Sequence, residues 1–204
     1  MYKIGITGSI GSGKTTIANK FALLKIPVFD ADKEVKKLLA INEIKNKIKE
    51  KWPNVIQDNY FDKLKLRSII FSNKIAKKQL EKILYPKLQI IKKGFEEKNN
   101  NKSILVYDVP LIYETKSEEN YDLIILANCD KDIQKQRVLK RDDITEVLFE
   151  KIIASQLSFN EKIKYKPTIV KTDCSNFLIF TKVLILLIKI NYKLKNKKWK
   201  KKEY

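Results

Sequence analysis

Residues 8 to 15, "GSIGSGKT", constrain this chain more than any other stretch, because they fit the pattern G-x-x-x-x-G-K-[ST] without a departure. An apolar, β-branched run, "YKIGIT" (2–7), precedes them. After them Ile17, Ala18, Phe21 and Leu24 share one face of a helix predicted to open at Lys14. Glycine admits backbone angles closed to other residues, so consecutive N–H groups can turn inward around phosphate oxygens. The helix N-terminus adds partial positive charge. Gly8, Gly11 and Gly13 supply three of the chain's five glycines. The stretch therefore predicts a nucleoside triphosphate held by Gly11, Ser12, Gly13, Lys14, Thr15 and Thr16. Lys14 is expected to bridge the β- and γ-phosphates and the Thr15 hydroxyl to ligate Mg²⁺. What receives the phosphate is left open.

Four further apolar runs follow: "IPVFD" (26–30), "SILVYDV" (103–109), "YDLIILANC" (121–129) and "TIVKT" (168–172). Several are almost continuously apolar, as strands covered on both faces of a parallel sheet are. Helical patterns lie between them, which predicts an α/β fold: a parallel five-stranded sheet of the P-loop NTPase type with helices on both faces. Two stretches are too long for simple crossovers. Residues 33–98 read as a helical insertion on the acceptor side, interrupted at Pro53, and residues 134–165 as a helical lid whose second helix Asp143 or the better placed Thr145 could cap. The nucleotide-binding core is then assigned to 1–32, 99–133 and 166–192, and a lysine-rich tail to 193–204, expected as a frayed, solvated end. "VLILLI" (183–188) is six residues, far short of the roughly 20 that span a bilayer, and is expected to be a buried helix.

Composition narrows the chemistry. The chain of 204 residues contains no histidine, so acid–base work falls to Asp, Glu, Lys or Tyr. Its two cysteines, Cys129 and Cys174, stand apart without a CxxC pair, which argues against zinc and redox sites and for a reducing compartment. The formal net charge is +19. A basic balance favours anionic partners without choosing among them, and no aromatic–basic interleaving of the RNA-binding kind is present. No specific nucleic acid or membrane partner, a cytoplasmic location and a monomeric state are expected.

The run 26–30 is read as the neighbour of the first strand and leads into Asp30-Ala31-Asp32 beside the phosphate loop. A carboxylate that orients an attacking alcohol and takes its proton suits phosphoryl transfer, and Asp32 is the candidate base, with a helix cap for "KEVKKLL" as its alternative role. Asp30 is read as a contact to a Mg²⁺-bound water or as a structural turn residue. Asp108, at the end of the third run, is the second metal-side candidate, and Pro110 redirects the chain beside the acceptor. Only three of the 43 basic residues are arginines: Arg67, Arg137 and Arg141. Arg137 and Arg141 lie four apart on one helical face, and a guanidinium grips phosphate by two parallel hydrogen bonds. Arg141 is expected to reach the transferring phosphate, supported by Arg137.

These pieces together resemble dephospho-coenzyme A kinases: "IGITGSIGSGKTT" at the start, "DAD" (30–32), "FDKLKLRSIIF" followed by "LEKILYP", "DVPLIYE" (108–114), and "QKQRVLKRDDIT" with Gln156. The likeness runs from residue 1 to about 175. It implies ATP-dependent phosphorylation of the ribose 3′-hydroxyl of dephospho-CoA by a three-part body of core, helical CoA-side domain and lid. It places Asp32 at the acceptor-side aspartate and Lys14, Thr15 and Arg141 at phosphate-handling positions. Asp32, Tyr85, Pro110 and Leu111 are the expected acceptor contacts, and Thr15 and Asp108 the metal contacts. Tyr85 stands where the family usually has His, Lys63 replaces a common Arg, and 166–175 departs from the usual Ala-Asp and Asp-Asn pattern. Two alternatives stay open: a kinase for another small acceptor such as a nucleoside or nucleotide, and a regulatory nucleotide-binding protein that meets nucleic acid through its lysines.

Overall fold

The computed structural model describes residues 1–57, 60–140 and 144–200. Along the chain come β1 (Tyr2–Thr7), α1 (Lys14–Leu23), β2 (Val28–Asp30), α2 (Ala31–Leu38), α3 (Asn42–Lys51), β3 (Ile56–Gln57), β4 (Tyr60–Phe61), α4 (Lys63–Ser72) and α5 (Lys74–Lys98). Then follow β5 (Ile104–Asp108), β6 (Leu123–Asn128), α6 (Lys131–Leu139), α7 (Glu146–Ala154), α8 (Phe159–Ile163), β7 (Thr168–Lys171) and α9 (Asn176–Lys200).

The five predicted strands form one parallel sheet in the order β2-β5-β1-β6-β7. The expectation that β2 lies beside β1 is corrected here: β5 stands between them, pairing Ile6 with Asp108 and Asp108 with Asp30. Order within a sheet is set by how the crossovers pack, which apolar runs do not encode. The consequence is chemical, since Asp108 becomes the carboxylate nearest the phosphate loop's strand and Asp30 moves one strand outward.

Period-two alternation sorts the side chains of each strand onto opposite faces. Ile4, Ile6, Ile104, Val106, Ile125 and Val170 meet α1 and α9 on one face, where Ile17, Phe21, Ile179, Val183 and Leu187 complete the main core. Phe29, Leu105 and Tyr107 meet α5 on the other, through Leu88, Ile91 and Phe95. The helical insertion has its own core, with Leu38, Ile44, Ile48, Val55, Leu66, Leu80 and Leu84 packed together. It also holds an antiparallel pair, β3 with β4, that the sequence reading did not anticipate. Helix α5 continues through Pro86 to a length of 25 residues.

Helix ends follow the predicted chemistry. Asp62, Asn73 and Thr145 each accept a hydrogen bond from a backbone N–H of the first turn they cap. Ser158 and Glu161 form a reciprocal capping box at α8. Two expectations about the C-terminal region are corrected. The lysine-rich stretch continues α9 to Lys200, whereas a frayed end was expected. "VLILLI" is only half buried: Val183 and Leu187 face the core, while Ile185 and Ile188 are 52% and 60% exposed. A helix laid on a sheet buries one stripe, and the apolar residues here outnumber those one stripe can hold. Among the described residues no helix is long and apolar enough to cross a membrane.

Candidate active site

The loop between β1 and α1 is held in shape by its own glycines and by the lid-side helices. Gly11 and Gly13 have φ of +75° and +87°, in the left-handed region that side chains with a Cβ resist. Space is as tight as the backbone. A Cβ at Gly13 would lie 2.5 Å from the Thr172 hydroxyl oxygen, and one at Gly11 would lie 2.6 Å from a Val138 methyl. The carbonyl of Ile10 accepts from the Gln134 amide at 2.6 Å, and the Ile10 N–H donates to Gln156 Oε1 at 3.2 Å. Thr172 Oγ1 donates to the Ser12 carbonyl at 2.7 Å.

Arg137 donates to Thr172 Oγ1 at 3.1 Å and to the Thr172 carbonyl at 2.7 Å. The guanidinium fork thus locks the residue that locks the loop. Lys14 Nζ reaches the Ser9 carbonyl at 3.2 Å, across the loop it would share with phosphate. The Ser12 hydroxyl is buried with no hydrogen-bond partner among the described residues, a donor that phosphate oxygens would satisfy. Cradle, helix N-terminus, lysine and orphaned hydroxyl fit a triphosphate.

Three carboxylates gather beside this loop. Asp30, and not Asp32, caps α2, its Oδ1 accepting from Lys33 N at 2.9 Å, because the helix opens one residue earlier, at Ala31. Asp32 follows in the first turn of α2. Solvent reaches the edge of Asp32, yet desolvation by the surrounding protein raises its pKa above the ordinary carboxylate value; Lys14 opposes the rise, Asp30 adds to it, and Lys36 and Arg67 oppose it. Asp108 is buried at the end of β5, and burial pushes its pKa up to about 6, with Lys14 opposing and Asp32 and Asp30 reinforcing. Thr15 Oγ1 donates to Asp108 Oδ2 at 3.3 Å.

A buried carboxylate held against two others and beside a hydroxyl is an environment that a divalent cation relieves. Mg²⁺ takes few protein ligands and fills its octahedron with water and phosphate, so Thr15 and Asp108 fit it. No cluster of three or more His, Cys, Asp or Glu suited to a metal occurs among the described residues, as this mode of binding requires none.

The acceptor side is looser. Tyr85, on α5, is 61% exposed. It lies near enough to Tyr121 to add to the burial that pushes that phenol up to about 12. Pro110 is tied to β1, its carbonyl accepting from Thr7 Oγ1 at 2.9 Å, and the Leu111 carbonyl accepts from Thr115 Oγ1 at 2.7 Å. The same turn ends in Glu114, which accepts from Leu157 N at 3.0 Å and forms an ion pair with Lys162 at 2.9 Å. Lys162 is 1% exposed. Tyr113 stacks on Tyr165 with ring centroids 4.4 Å apart. The turn after β5 is therefore bolted to the segment that leaves the lid.

The structure gathers Gly11, Ser12, Gly13, Lys14, Thr15, Asp32 and Asp108 at one end of the sheet. Thr16 follows on α1. Arg141 lies outside the described residues. Arg137 is engaged by Thr172, where sequence reasoning expected it to support the phosphate. Arg67, on which the sequence reading did not decide, is among the cations that act on Asp32. Thr172 and Gln134 were missed altogether. Both act through backbone contacts that no motif spells out; the scarcity of arginine was the signal for Arg137, and so indirectly for its partner.

The comparisons agree with one another. The family model for dephospho-CoA kinase matches residues 2–176. A dephospho-CoA kinase of Fusobacterium nucleatum is 35% identical over 182 residues, which cover 88% of this chain and 94% of that one. Among solved structures, TT1252 of Thermus thermophilus superposes with a TM-score of 0.77 at 21% identity, over 93% of this chain and 97% of that one, and shares the fold. The dephospho-CoA kinase of Campylobacter jejuni superposes with a TM-score of 0.61 at 26% identity, over 92% and 96%. With a model match across most of its length and a relative above 30% identity, this chain belongs to the dephospho-CoA kinase family.

Proposed function

We infer that the protein is a kinase that transfers the γ-phosphate of ATP to dephospho-CoA, giving coenzyme A. The observation that carries the reading is the meeting of Lys14, Asp32 and Asp108 beside one glycine cradle. A cradle alone would serve any triphosphate; an aspartate within the field of its lysine adds an acceptor.

In this reading the ribose 3′-hydroxyl is the nucleophile. Asp32 accepts its proton, and a carboxylate lifted above its ordinary pKa is a better match for that task near neutral pH. Lys14 and the loop N–H groups neutralise charge on the β- and γ-phosphates. Thr15 and Asp108 would hold Mg²⁺, which supplies further neutralisation of phosphate charge when bound. Thr16 completes the donor contacts at the start of α1. Arg137 positions the loop through Thr172, and Arg141 is proposed from the sequence as the lid's contact to the transferring phosphate. Tyr85, Pro110 and Leu111 line the acceptor side with Asp32. Closure of the part of the 134–165 segment between its anchored residues Arg137 and Gln156 would keep water from competing with the alcohol. A cytoplasmic, monomeric enzyme is the simplest setting.

The test is an acceptor panel with Mg²⁺ and ATP, read by phosphorus NMR of the product. Dephospho-CoA should be preferred over nucleosides and nucleoside monophosphates, with the new phosphate on the ribose 3′ position. Preference for a nucleoside monophosphate would reject the acceptor assignment and leave the donor site standing.

A further inference from the structure

Helix α9 is apolar on two sides. Its inner stripe, with Ile179, Val183, Leu187 and Ile190, packs on the sheet and α1. On the opposite side Phe177, Ile185, Ile188 and Tyr192 are 72%, 52%, 60% and 69% exposed, with Leu184 beside them. At 1.5 Å per residue this outer stripe runs about 22 Å along the helix. Scattered exposed apolar residues are ordinary, but a continuous stripe marks a surface that something covers.

Charge identifies the cover. Residues 176–200 include seven lysines and no acid. Lys189 and Lys193 follow along one edge of the stripe, in line with Lys182, whose Nζ donates to the Lys171 carbonyl at 3.4 Å. Elsewhere acids meet some of the surface lysines: Lys37 pairs with Glu34 at 2.7 Å, Lys47 with Glu43 at 2.9 Å, and Lys135 with Glu146. Among the described residues no ion pair involves α9. A second copy docked antiparallel across a two-fold axis would bring both lysine edges to the same side with no acid to meet them. A protein partner would need a matching acidic rim; single-stranded nucleic acid would leave the aliphatic stripe in water. An anionic bilayer surface satisfies both features at once, taking the aliphatic side chains among its acyl chains and the ammonium groups at its headgroups.

We propose that the outer face of α9 is a peripheral docking surface for an anionic lipid bilayer. The absence of a spanning helix bears on insertion across the membrane and not on this in-plane mode. Docking leaves the reaction cleft open, because α9 and α5 cover opposite faces of the sheet. The family match ends at residue 176, where α9 begins.

The experiment is co-sedimentation of the full chain with vesicles of phosphatidylcholine alone or with about one-third phosphatidylserine, at ~0.1 M salt. Since a net charge of +19 draws any such protein toward anionic vesicles, the deciding comparison is Ile185→Ser with Ile188→Ser. The unaltered protein should sediment with the serine-lipid vesicles and hardly with the others. The double variant should bind those vesicles at least fivefold more weakly, while its melting temperature and its turnover of ATP with dephospho-CoA stay unchanged. Lys189→Gln with Lys193→Gln should weaken binding and flatten its salt dependence. Equal sedimentation of the aliphatic double variant and the unaltered protein would overturn the proposal. So would a stable dimer in solution that this variant dissolves, because the stripe would then belong to a second copy.

Discussion

The donor half and the acceptor half of the cleft are built differently. The phosphate loop is fixed from every side: Gly13 against Thr172, Gly11 against Val138, Ile10 between Gln134 and Gln156, Thr172 gripped by Arg137. The acceptor half has a solvent-reached Asp32 and an exposed Tyr85, and its one rigid part is the turn from Pro110 to Glu114. Donor contacts are thus set before binding, whereas Asp32 and Tyr85 are left open to solvent. Rigidity on the donor side spares the entropy of ordering a loop that must present several N–H groups together. Looseness on the acceptor side lets a large substrate enter.

Substitutions can break or sharpen this contrast. The largest effect is expected at Gly13→Ala, where an added methyl meets Thr172 and the backbone is left-handed. Turnover should fall by about a thousandfold or more with the loss of ATP binding, read by steady-state kinetics and nucleotide titration. Asp32→Asn should lower kcat by roughly 10² to 10³ and leave the KM for ATP nearly unchanged. A rise in the ATP KM instead would place Asp32 on the donor side and dissolve the division between the halves.

Asp108→Asn separates stability from function. The folded pKa of Asp108 stands above the unfolded value, so the native chain keeps a proton that the unfolded chain loses between about pH 4 and about pH 6. This group's contribution to stability is therefore highest below that window and falls as pH rises through it. The Asn variant, measured without nucleotide or Mg²⁺, should melt a few degrees higher than the unaltered protein at pH 7, with the difference closing near pH 4. Its turnover with Mg²⁺ and ATP should drop roughly 10- to 100-fold, because a carboxylate that orients the metal is lost.

Thr172→Val tests how much of the donor half depends on its clamp. It removes the bond to the Ser12 carbonyl and one acceptor of Arg137, and should raise the ATP KM about tenfold with kcat little changed. The smallest effect is expected at Tyr85→Phe, about threefold or less on the KM for dephospho-CoA, since an exposed phenol exchanges one hydrogen-bond partner for water.

The two halves also differed in how far the sequence revealed them. All five strands of the parallel sheet, the helix opening at Lys14 and the Thr145 cap were legible, because periodicity and capping chemistry are local properties. The place of β5 between β1 and β2 was not, and with it went the relative positions of Asp30 and Asp108. The glycine cradle was legible because its backbone geometry demands glycine at fixed spacing. Thr172 and Gln134 were illegible because any residue able to reach a loop carbonyl could have served, so their types carry no signal. Arg137 was singled out for its rarity and expected to support Arg141; the fold bonds it to Thr172, which no motif announces. The outer stripe of α9 was read as core since "VLILLI" does not say which of its residues a sheet can reach.

The ion pair of Glu114 with Lys162 has a bearing on how this sequence can drift. Replacing either partner alone strands a charge in the interior, and replacing both by apolar residues also takes the acceptor from the Leu157 N–H. The two positions are therefore bound as one unit of inheritance, and lineages that abandon the pair must cross a poorly folding intermediate or change both codons nearly together.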